Sequence, residues 1–444
     1  MPSRLVKIII SIILGIILIV SLSIFLNNLS KNKSDKELRN YSFSNIKQET
    51  IISYNTYGMP HIYANNEQDM FFAIGWAQAE NRLWQMDFLR RASYGKLSEI
   101  IGSDALPLDK FLRSFEIKKL SDSTFNFIDS HTKELLKYYS DGVNAFISSN
   151  KGNISIEFAL LSYKPELWKP QDCIAIGKLM ALEMSISFIS DITFGELAHQ
   201  LGIDKARDLI ASNNDYLLKT LDKKINSKFY KKNNDIDSSL KLFSAGNYVK
   251  NNREQDNYSS LQLKFFEEFQ KLNFFSPRSG SNVWAVQSKS NNDTNTKSAI
   301  LANDPHLPIV LPPIWFAMQS TSPQFNVTGL TIPGIPLFLI GRNDYISWGI
   351  TNMMMDCADF FVEKIDSTGN YYLSQDSTQK KIIYSLDTIY IRNKPPQVYY
   401  QRKTERSVMI SDFHILKNAK FFDKSLQYSS DFIDSIALTY NWVG

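Results

Sequence analysis

Ser281 has the sequence surroundings that most clearly permit covalent chemistry. It follows Gly280 and precedes the apolar run Val283–Val286, so a glycine–serine joint leads into a predicted strand. If the Ser281 hydroxyl attacks the carbonyl of Gly280, an ester forms, and its hydrolysis frees the serine α-amine. That amine has a pKa of about 8 and can act as the base for its own hydroxyl. Taken alone, Ser279-Gly280-Ser281 is also ordinary loop sequence.

Helical patterns dominate the chain ahead of this serine. Asn66 can cap a helix with Glu67 and Asp69 in its first turn, and apolar residues recur along it at helical spacing. Tyr94-Gly95-Lys96 is predicted to end that helix. Trp76, Trp84 and Phe88 fit core packing on it, whereas Arg82, Arg90 and Arg91 fit either buried ion pairs or a solvated face. Further helices are predicted over residues 132–147 and 173–209.

The sequence after Gly280 has a different pattern of apolar residues. Short apolar runs are broken by Gly, Pro, Asn and Asp, which is typical of strands in a buried sheet. The predicted strands are Val283–Val286, Ala299–Ala302, Ile332–Ile340 and Tyr345–Ile350. Helices followed by strands favour an α+β fold. We divide the chain into a signal anchor or signal peptide (1–26), a tether (27–46), a largely helical region (47–217), a spacer (218–280) and a strand-rich region (281–444).

The amino terminus predicts export. The run from Ile8 to Leu26 is uncharged and apolar, and at about 1.5 Å per residue it is long enough for a bilayer core of about 30 Å. Arg4 and Lys7 precede it, which favours a cytoplasmic start. We favour an uncleaved membrane anchor, with a cleaved signal peptide as the alternative. Both place the bulk of the chain in the periplasm or otherwise outside the cytoplasm.

Composition narrows the classes of function. The formal net charge is +4 over 444 residues, which argues against nucleic acid as a main partner. Hydrophobic residues make up 43% of the chain, so a sizeable core can be buried. The two cysteines, Cys173 and Cys357, could form one disulfide. Their spacing and that of the five histidines do not suggest a zinc site.

Several sequence blocks resemble, in order, the penicillin acylase family of N-terminal-nucleophile hydrolases. Together they cover most of residues 50–360. The blocks are Gly58-Met59-Pro60-His61-Ile62-Tyr63-Ala64, Gly75 to Asp87, Arg90-Arg91, Gly95 to Glu99 with Gly102, Tyr163 to Asp172, Ser281-Asn282-Val283-Trp284, Asn303 to Leu307, Pro333 to Pro336, Gly341-Arg342-Asn343 and Ser347 to Asn352. The resemblance implies an incomplete αββα sandwich, preceded by a largely helical α-chain region and the membrane-spanning segment.

The resemblance also implies catalytic roles. Ser281 would be the nucleophile and, through its freed amine, the general base. The backbone N–H of Asn352 would help form an oxyanion hole, and an alternative alignment places Met354 there. His306 matches a histidine that supports the serine in cephalosporin-acylase-like and lactone-acylase-like members. A turn histidine after Pro305 is the alternative interpretation.

A calcium site is a further implication of the resemblance. Glu196 matches a ligand from the family's α chain. Asp356 and Asp359 match two ligands from its β chain, with the carbonyl of Ala358 between them. Carboxylate and carbonyl oxygens are the ligands that calcium prefers. The alternative is that Asp356 and Asp359 cap a turn.

The implied protein is an amidase zymogen that cleaves itself before Ser281 and hydrolyses an N-acylated small molecule. Its α and β chains would stay associated after cleavage. The substrate stays open among penicillins, cephalosporins, acyl-homoserine lactones and small peptides, the first two of which would indicate antibiotic metabolism. The sequence ends at Gly444, within a segment that resembles the middle of the family's β chain. The alternatives are therefore an inactive membrane-anchored remnant, or half of a split enzyme that needs a second polypeptide.

Overall fold

The computed structural model places helices before the predicted spacer and strands mainly after it. It describes residues 38–150, 154–185, 280–287, 299–307, 309–353, 358–366, 368–374, 376–409 and 436–442, with isolated positions before residue 24 and between 201 and 208. The predicted α+β content is confirmed. The spacer at 218–280 lies outside the described residues, apart from Gly280.

Two compact units make up the chain. The first is Met1–Ser44, and the second is Asn45–Gly444. In the first unit, the rings of Tyr41 and Phe43 stack with their centroids 6.1 Å apart. No helix in the described residues is long and apolar enough to cross a bilayer. Most of the run from Ile8 to Leu26 falls outside those residues, so the anchor stays a prediction.

The helical region begins with a small hairpin and continues through packed helices. The helices described there are α1 (Glu67–Ser93), α2 (Ser98–Ile101), α3 (Leu106–Ser114), α4 (Ile117–Phe127), α5 (Ser130–Ser149), α6 (Ile156–Leu160) and α7 (Pro170–Met184), with a short 3-10 turn at Ser103–Ala105. The first two predicted helices are confirmed. The predicted helix over 173–209 is confirmed as far as Met184, and most of its remainder lies outside the described residues.

Helix α1 begins and ends where the sequence predicts. The Asn66 side chain accepts a hydrogen bond from the Asp69 backbone N–H at 2.8 Å, as an N-cap does. Tyr94 is the C-cap, and Gly95 follows it at a φ of 59°. Trp76 is buried, as predicted for a core residue. The helix bends at Arg82, whose backbone leaves the helical region with a φ of −142°.

Helices α1 and α5 cross with their backbones in close contact. A Cβ on Gly75 would lie 2.1 Å from the carbonyl oxygen of Tyr139. A Cβ on Gly142 would lie 1.9 Å from the carbonyl oxygen of Phe72. Both distances are far below van der Waals contact, so only glycine permits this approach. Ring contact supports the crossing, since Trp76 meets Phe146 edge to face at 5.5 Å.

The arginines of α1 are buried in ion pairs, which decides between the two interpretations left open by the sequence for Arg90 and Arg91. Arg90 pairs with Asp87, and its Nη1 lies 3.2 Å from an oxygen of Asp172. Arg91 also contacts Asp87 at 2.9 Å, and it reaches Glu99 at 2.6 Å. Because these partners come from different segments of the helical region, the charges tie those segments together.

The strands described are β1 (Ile51–Tyr54), β2 (Pro60–Tyr63), β3 (Ser281–Gln287), β4 (Ala299–Pro305), β5 (Phe316–Thr321), β6 (Asn326–Ile332), β7 (Ile335–Arg342), β8 (Ser347–Trp348), β9 (Ala358–Lys364), β10 (Tyr371–Leu373), β11 (Gln379–Lys381), β12 (Ile383–Ile391), β13 (Lys394–Lys403) and β14 (Ile436–Trp442). Six of them form one sheet in the order β1-β2-β5-β6-β7-β8. The strands β3 and β4 form a separate antiparallel pair, and the other described pairs are β9 with β14, β10 with β11 and β12 with β13.

Three sequence predictions about strands differ from the structure. The predicted strand Tyr345–Ile350 is formed only at Ser347–Trp348. The run Ile332–Ile340 is not one strand, because Pro333 and Gly334 form a turn between β6 and β7, with Gly334 at a φ of 98°. The helical region also supplies β1 and β2, which the order of helices followed by strands did not predict. Strand β2 pairs in parallel with β5, so the six-stranded sheet is built from both sides of Gly280.

Gln78 joins the helices to this sheet. Its Nε2 donates to Thr331 Oγ1 at 3.1 Å and to the Ile335 carbonyl at 3.3 Å. Its Oε1 accepts from the Tyr139 hydroxyl at 2.6 Å and from the Gly334 N–H at 2.9 Å. A buried amide with all of these partners fixes α1 and α5 against the turn between β6 and β7.

The hairpin of β12 and β13 packs on the helical region through charged contacts. Arg113 of α3 bonds Asp387 at 2.7 Å and the Thr388 carbonyl at 2.9 Å. The backbone N–H of Arg392 donates to the Ser98 carbonyl at 2.9 Å. These contacts are a second link between the chain before and after Gly280.

Candidate active site

Ser281 is the first residue of β3, at the open end of the β3–β4 hairpin. It lies opposite Pro305 in the antiparallel register, so Gly280 and His306 are neighbours just beyond the paired strands. The backbone N–H of His306 donates to the carbonyl oxygen of Gly280 at 2.8 Å. The carbonyl that Ser281 would attack is therefore already polarised by a backbone donor. The side chain of Ser281 is half-buried.

The segment after β8 returns to Ser281. The backbone N–H of Asn352 points at Ser281 Oγ, with a nitrogen–oxygen distance of 3.3 Å. The Asn352 side chain donates to the carbonyl of Met184, the last residue of α7, at 3.0 Å. The end of α7 thus helps to fix the loop that carries this donor. The alternative residue, Met354, lies outside the described part of the chain.

The ring of His306 makes no described hydrogen bond to Ser281, and its Nδ1 lies 3.6 Å from the position that a Cβ on Gly280 would take. Its Nε2 is 3.1 Å from a carboxylate oxygen of Asp304 and 3.4 Å from the amide nitrogen of Asn282. One nitrogen can donate to Asp304 or accept from Asn282, but it cannot do both in one protonation state. The ring is about half exposed, at 46%. The described hydrogen bond from His306 to Gly280 is therefore made by the backbone N–H and not by the ring.

Asn303 is a site residue to which sequence reasoning gave no role. It lies on β4, and its side-chain amide bonds the backbone of Asn282 and of Ile350, two residues before Asn352. Gly349 packs against the same side chain. Met184 was also missed. The position of Asn303 in the block Asn303 to Leu307 was the available signal, because that block follows the serine at the distance that the resemblance implies.

The predicted calcium ligands are largely beyond what the structure describes. Glu196 and Asp356 lie outside the described residues. Ala358 and Asp359 belong to β9, where their backbones pair with Trp442 and Asn441 of β14. Among the described side chains, no group of three His, Cys, Asp or Glu could hold a metal ion. The calcium set therefore stays a prediction.

Helix α7, whose last residue contacts Asn352, carries the buried ionisable side chains of Cys173 and Glu183. Burial raises the pKa of the Glu183 carboxyl, next to Met184 on α7, well above its usual range. Its Oε1 is without a hydrogen-bond partner among the described residues. Burial also raises the pKa of the Cys173 thiol, which is free in this structure and accepts a hydrogen bond from Trp168 Nε1 at 3.4 Å. A buried thiol of this kind is a core group and not a nucleophile.

Comparison with known proteins decides the family. The family model described as penicillin amidase matches residues 49–444. This chain belongs to the penicillin amidase family. The resemblance noted from the ordered sequence blocks is confirmed over nearly the whole compact second unit.

Curated relatives of this penicillin amidase family chain carry two kinds of name. The acyl-homoserine lactone acylase QuiP of Pseudomonas syringae pv. syringae is 30% identical over 74% of this chain and 37% of its own length. Penicillin acylase 2 proenzyme of Pseudomonas sp. strain SE83 is 27% identical over 70% of this chain and 37% of its length. Penicillin G acylase of Escherichia coli is 24% identical over 79% of this chain and 44% of its length. The chain thus spans well under half the length of these relatives.

A solved structure gives a much weaker match. Thermostable penicillin G acylase from Alcaligenes faecalis aligns with 44% of this chain and 99% of its own, at 17% identity and a TM-score of 0.31. The family assignment therefore rests on the sequence, and the αββα sandwich stays a prediction.

Proposed function

We propose that this chain is the precursor of an amidase that cuts its own Gly280–Ser281 bond and then uses Ser281 as an N-terminal nucleophile. One observation carries the proposal. Two backbone donors converge on this bond: the His306 N–H on the Gly280 carbonyl at 2.8 Å, and the Asn352 N–H on Ser281 Oγ at 3.3 Å. The His306 donor continues the β3–β4 ladder, whereas the Asn352 donor reaches Ser281 from outside the hairpin, in the segment that follows β8.

Self-cleavage would proceed by an acyl shift. Ser281 Oγ loses its proton and attacks the carbonyl carbon of Gly280, and the oxyanion that forms is held by the His306 N–H. The carbon–nitrogen bond then breaks, the nitrogen takes up a proton, and Gly280 is left as an ester on Oγ. Water hydrolyses the ester, which yields the Gly280 carboxylate and a Ser281 that carries a free α-amine. Gly280 offers no side chain to obstruct the attack.

Amide hydrolysis would use the same residue again. The α-amine, with a pKa of about 8, takes the proton from Oγ as Ser281 attacks the substrate carbonyl. The Asn352 N–H lies within reach of the oxyanion that forms there. His306 would support the site through its backbone, with its ring held by Asp304. Hydrolysis of the acyl-serine ester would then complete turnover.

The proposed substrate is an N-acylated small molecule. Two relatives are named acyl-homoserine lactone acylase and penicillin acylase. The compounds in both names contain a non-peptide amide that joins an acyl chain to a small amine. We propose the same bond class here. Calcium, held by Glu196, Asp356, Ala358 and Asp359, is proposed as a structural ion that joins the two chains. Anchoring at the outer face of a membrane is proposed from the apolar run at Ile8–Leu26.

A second polypeptide is part of the proposal. The β3–β4 hairpin pairs with none of the other described strands, and it exposes large apolar side chains, among them Trp284 at 67% and Ile300 at 66%. Exposed apolar surface of this kind is typical of a surface that another polypeptide covers. We propose that a polypeptide carrying further β-chain strands covers the hairpin. The same exposure keeps the inactive remnant as the runner-up function.

An amide panel tests the function. The chain is assayed alone and together with the product of any reading frame that follows residue 444, on acyl-homoserine lactones, penicillins and acyl-p-nitroanilides. Hydrolysis that Ser281→Ala abolishes supports the amidase. If no preparation that contains Ser281 hydrolyses any amide, while the chain folds, the remnant interpretation is correct.

A further inference from the structure

We propose that Asn303 is a positioning residue that holds the Asn352 N–H over Ser281. It does so by clamping the nucleophile strand to the loop that carries the donor. This inference rests on the proposed function, because it assigns Asn303 to the same site. The β3–β4 hairpin belongs to a sheet separate from that of β8, so some contact must set the distance between Ser281 and Asn352.

The Asn303 side chain provides that contact with three hydrogen bonds. Its Nδ2 donates to the carbonyl of Asn282, the residue after Ser281, at 2.9 Å. The same Nδ2 donates to the Ile350 carbonyl at 3.0 Å, and Oδ1 accepts from the Ile350 N–H at 2.9 Å. One amide thus bonds both polar groups of Ile350 and reaches back to the nucleophile strand.

The contacts allow only one orientation of the amide. The Ile350 N–H can only donate, so it must face Oδ1. The carbonyls of Asn282 and Ile350 can only accept, so they must face the two hydrogens on Nδ2. Aspartate at position 303 would place a carboxylate against two carbonyl oxygens. Alanine would leave all three backbone groups without this partner.

Position 349 has no room for a side chain, because the Asn303 side chain packs against Gly349. A Cβ at this position would lie 2.8 Å from Asn303 Oδ1 and 2.9 Å from its Cβ and Cγ. Such distances force a neighbour to move, so a side chain at 349 would push the loop off Asn303. The clamp therefore depends on a close approach from the loop as well as on the asparagine.

Asn352 is held from both sides as a result. The clamp fixes Ile350 on the side of β8, and the Met184 carbonyl holds the Asn352 side chain at 3.0 Å. The two anchors bracket the single residue Thr351. Loss of the clamp would remove the link from Asn303 to Ile350, so the direction of the Asn352 N–H relative to Ser281 Oγ would be fixed less tightly.

Amide hydrogen exchange tests the clamp independently of catalysis. The full chain with Ser281→Ala is compared with the double variant that adds Asn303→Ala, at single-residue resolution. We expect exchange at Ile350 to be about tenfold faster in the double variant, the factor that corresponds to one lost hydrogen bond. Exchange at Ile62, in the core, should not change. Equal exchange at Ile350 in the two proteins would overturn the proposal.

Labelling of the nucleophile tests the consequence. The wild-type chain and its Asn303→Ala, Asn303→Asp and Gly349→Ala variants are treated with phenylmethylsulfonyl fluoride, and modified Ser281 is followed by mass spectrometry. We expect labelling to slow by roughly ten- to a hundredfold in the three variants. This decrease is no larger than the decrease in rate expected when one oxyanion donor is removed entirely. Asn65→Asp makes the same change at an exposed asparagine and should label at the wild-type rate.

A pH series separates positioning from general damage. A protonated aspartate at 303 can again donate one hydrogen bond and accept another, so the Asn303→Asp rate relative to wild type should rise between about pH 8 and about pH 5. The Asn303→Ala ratio should stay flat. Wild-type rates in these variants, or parallel ratios, would overturn the proposal. A wild-type chain that never cleaves would contradict the proposed function instead, and exchange would then decide the clamp.

Discussion

At the scale of single residues, the candidate site works through backbone groups. The two groups that meet the Gly280 carbonyl and Ser281 Oγ are the N–H groups of His306 and Asn352. Backbone donors are held by the fold and need no particular side chain. Under the proposed function, Ser281 would need no bonded histidine, since its own amine would supply the base after cleavage.

Two substitutions at position 306 distinguish backbone from ring. His306→Ala keeps the N–H on the Gly280 carbonyl, so cleavage before Ser281 should slow by less than about tenfold. His306→Pro removes the N–H and should slow cleavage by about a hundredfold or more, the loss expected for one oxyanion donor. Cleavage is followed by gel densitometry during expression, with melting temperatures to confirm folding. A slower alanine variant than proline variant would contradict this account.

At the scale of elements, helix α7 brings a buried acid to the edge of the site. Burial raises the pKa of Glu183, so the folded state keeps its proton where the unfolded chain has lost it. The stability associated with the neutral carboxyl is complete below the unfolded pKa of about 4.3, and it declines as pH rises towards the folded pKa.

Glu183→Gln should remove that decline. The variant's free energy of unfolding should exceed that of wild type by a margin that grows with pH above about 4.3, by up to about 1.4 kcal/mol per unit, until the folded carboxyl ionises. Urea unfolding over a pH series measures the margin. Glu134→Gln, at an exposed site on α5, is the control. A margin independent of pH would refute the buried, protonated state.

Two helix glycines should respond differently to substitution by alanine, because only one of them lies at the crossing of α1 and α5. Gly142→Ala places a Cβ 1.9 Å from the Phe72 carbonyl, which forces the backbones apart and should destabilise the chain by about 3 kcal/mol. Gly177→Ala on α7 meets only Ile335 Cδ1 at 4.0 Å and should change stability by less than about 1 kcal/mol. Thermal or urea unfolding checks both, and similar losses in the two variants would contradict the packing described.

At the scale of the whole molecule, the chain before and after Gly280 is interleaved. Strand β2 pairs with β5 across the predicted cut, and Gln78 bonds the turn between β6 and β7. The two pieces should therefore stay associated after cleavage, and co-elute in gel filtration until denaturant is added. Gln78→Ala leaves buried partners unpaired and should release the pieces at lower denaturant, whereas Gln379→Ala, at an exposed site, should not. Pieces that separate without denaturant would refute the shared sheet.

The sequence alone predicts several local structural features correctly, but it does not predict contacts between distant segments. The cap at Asn66 and the strand after Ser281 follow from neighbouring residues, so pattern alone predicts them. The pairing of β2 with β5 joins segments on opposite sides of the spacer, and no local pattern records it. The same holds for Asn303, whose partners Asn282 and Ile350 lie 21 and 47 positions away. Tertiary contacts of this kind set the site, and they appear only once the chain is folded.

The mass of the purified full-length chain tests the central claim most directly. The account predicts two polypeptides, of which the second begins Ser281-Asn282-Val283-Trp284 with a free α-amine, and it predicts a single uncut chain for Ser281→Ala. Ser281→Cys should still cleave, because a thiol can make the same acyl shift. An intact Gly280–Ser281 bond in the folded wild-type chain, or a cut that Ser281→Ala leaves unaffected, would contradict it.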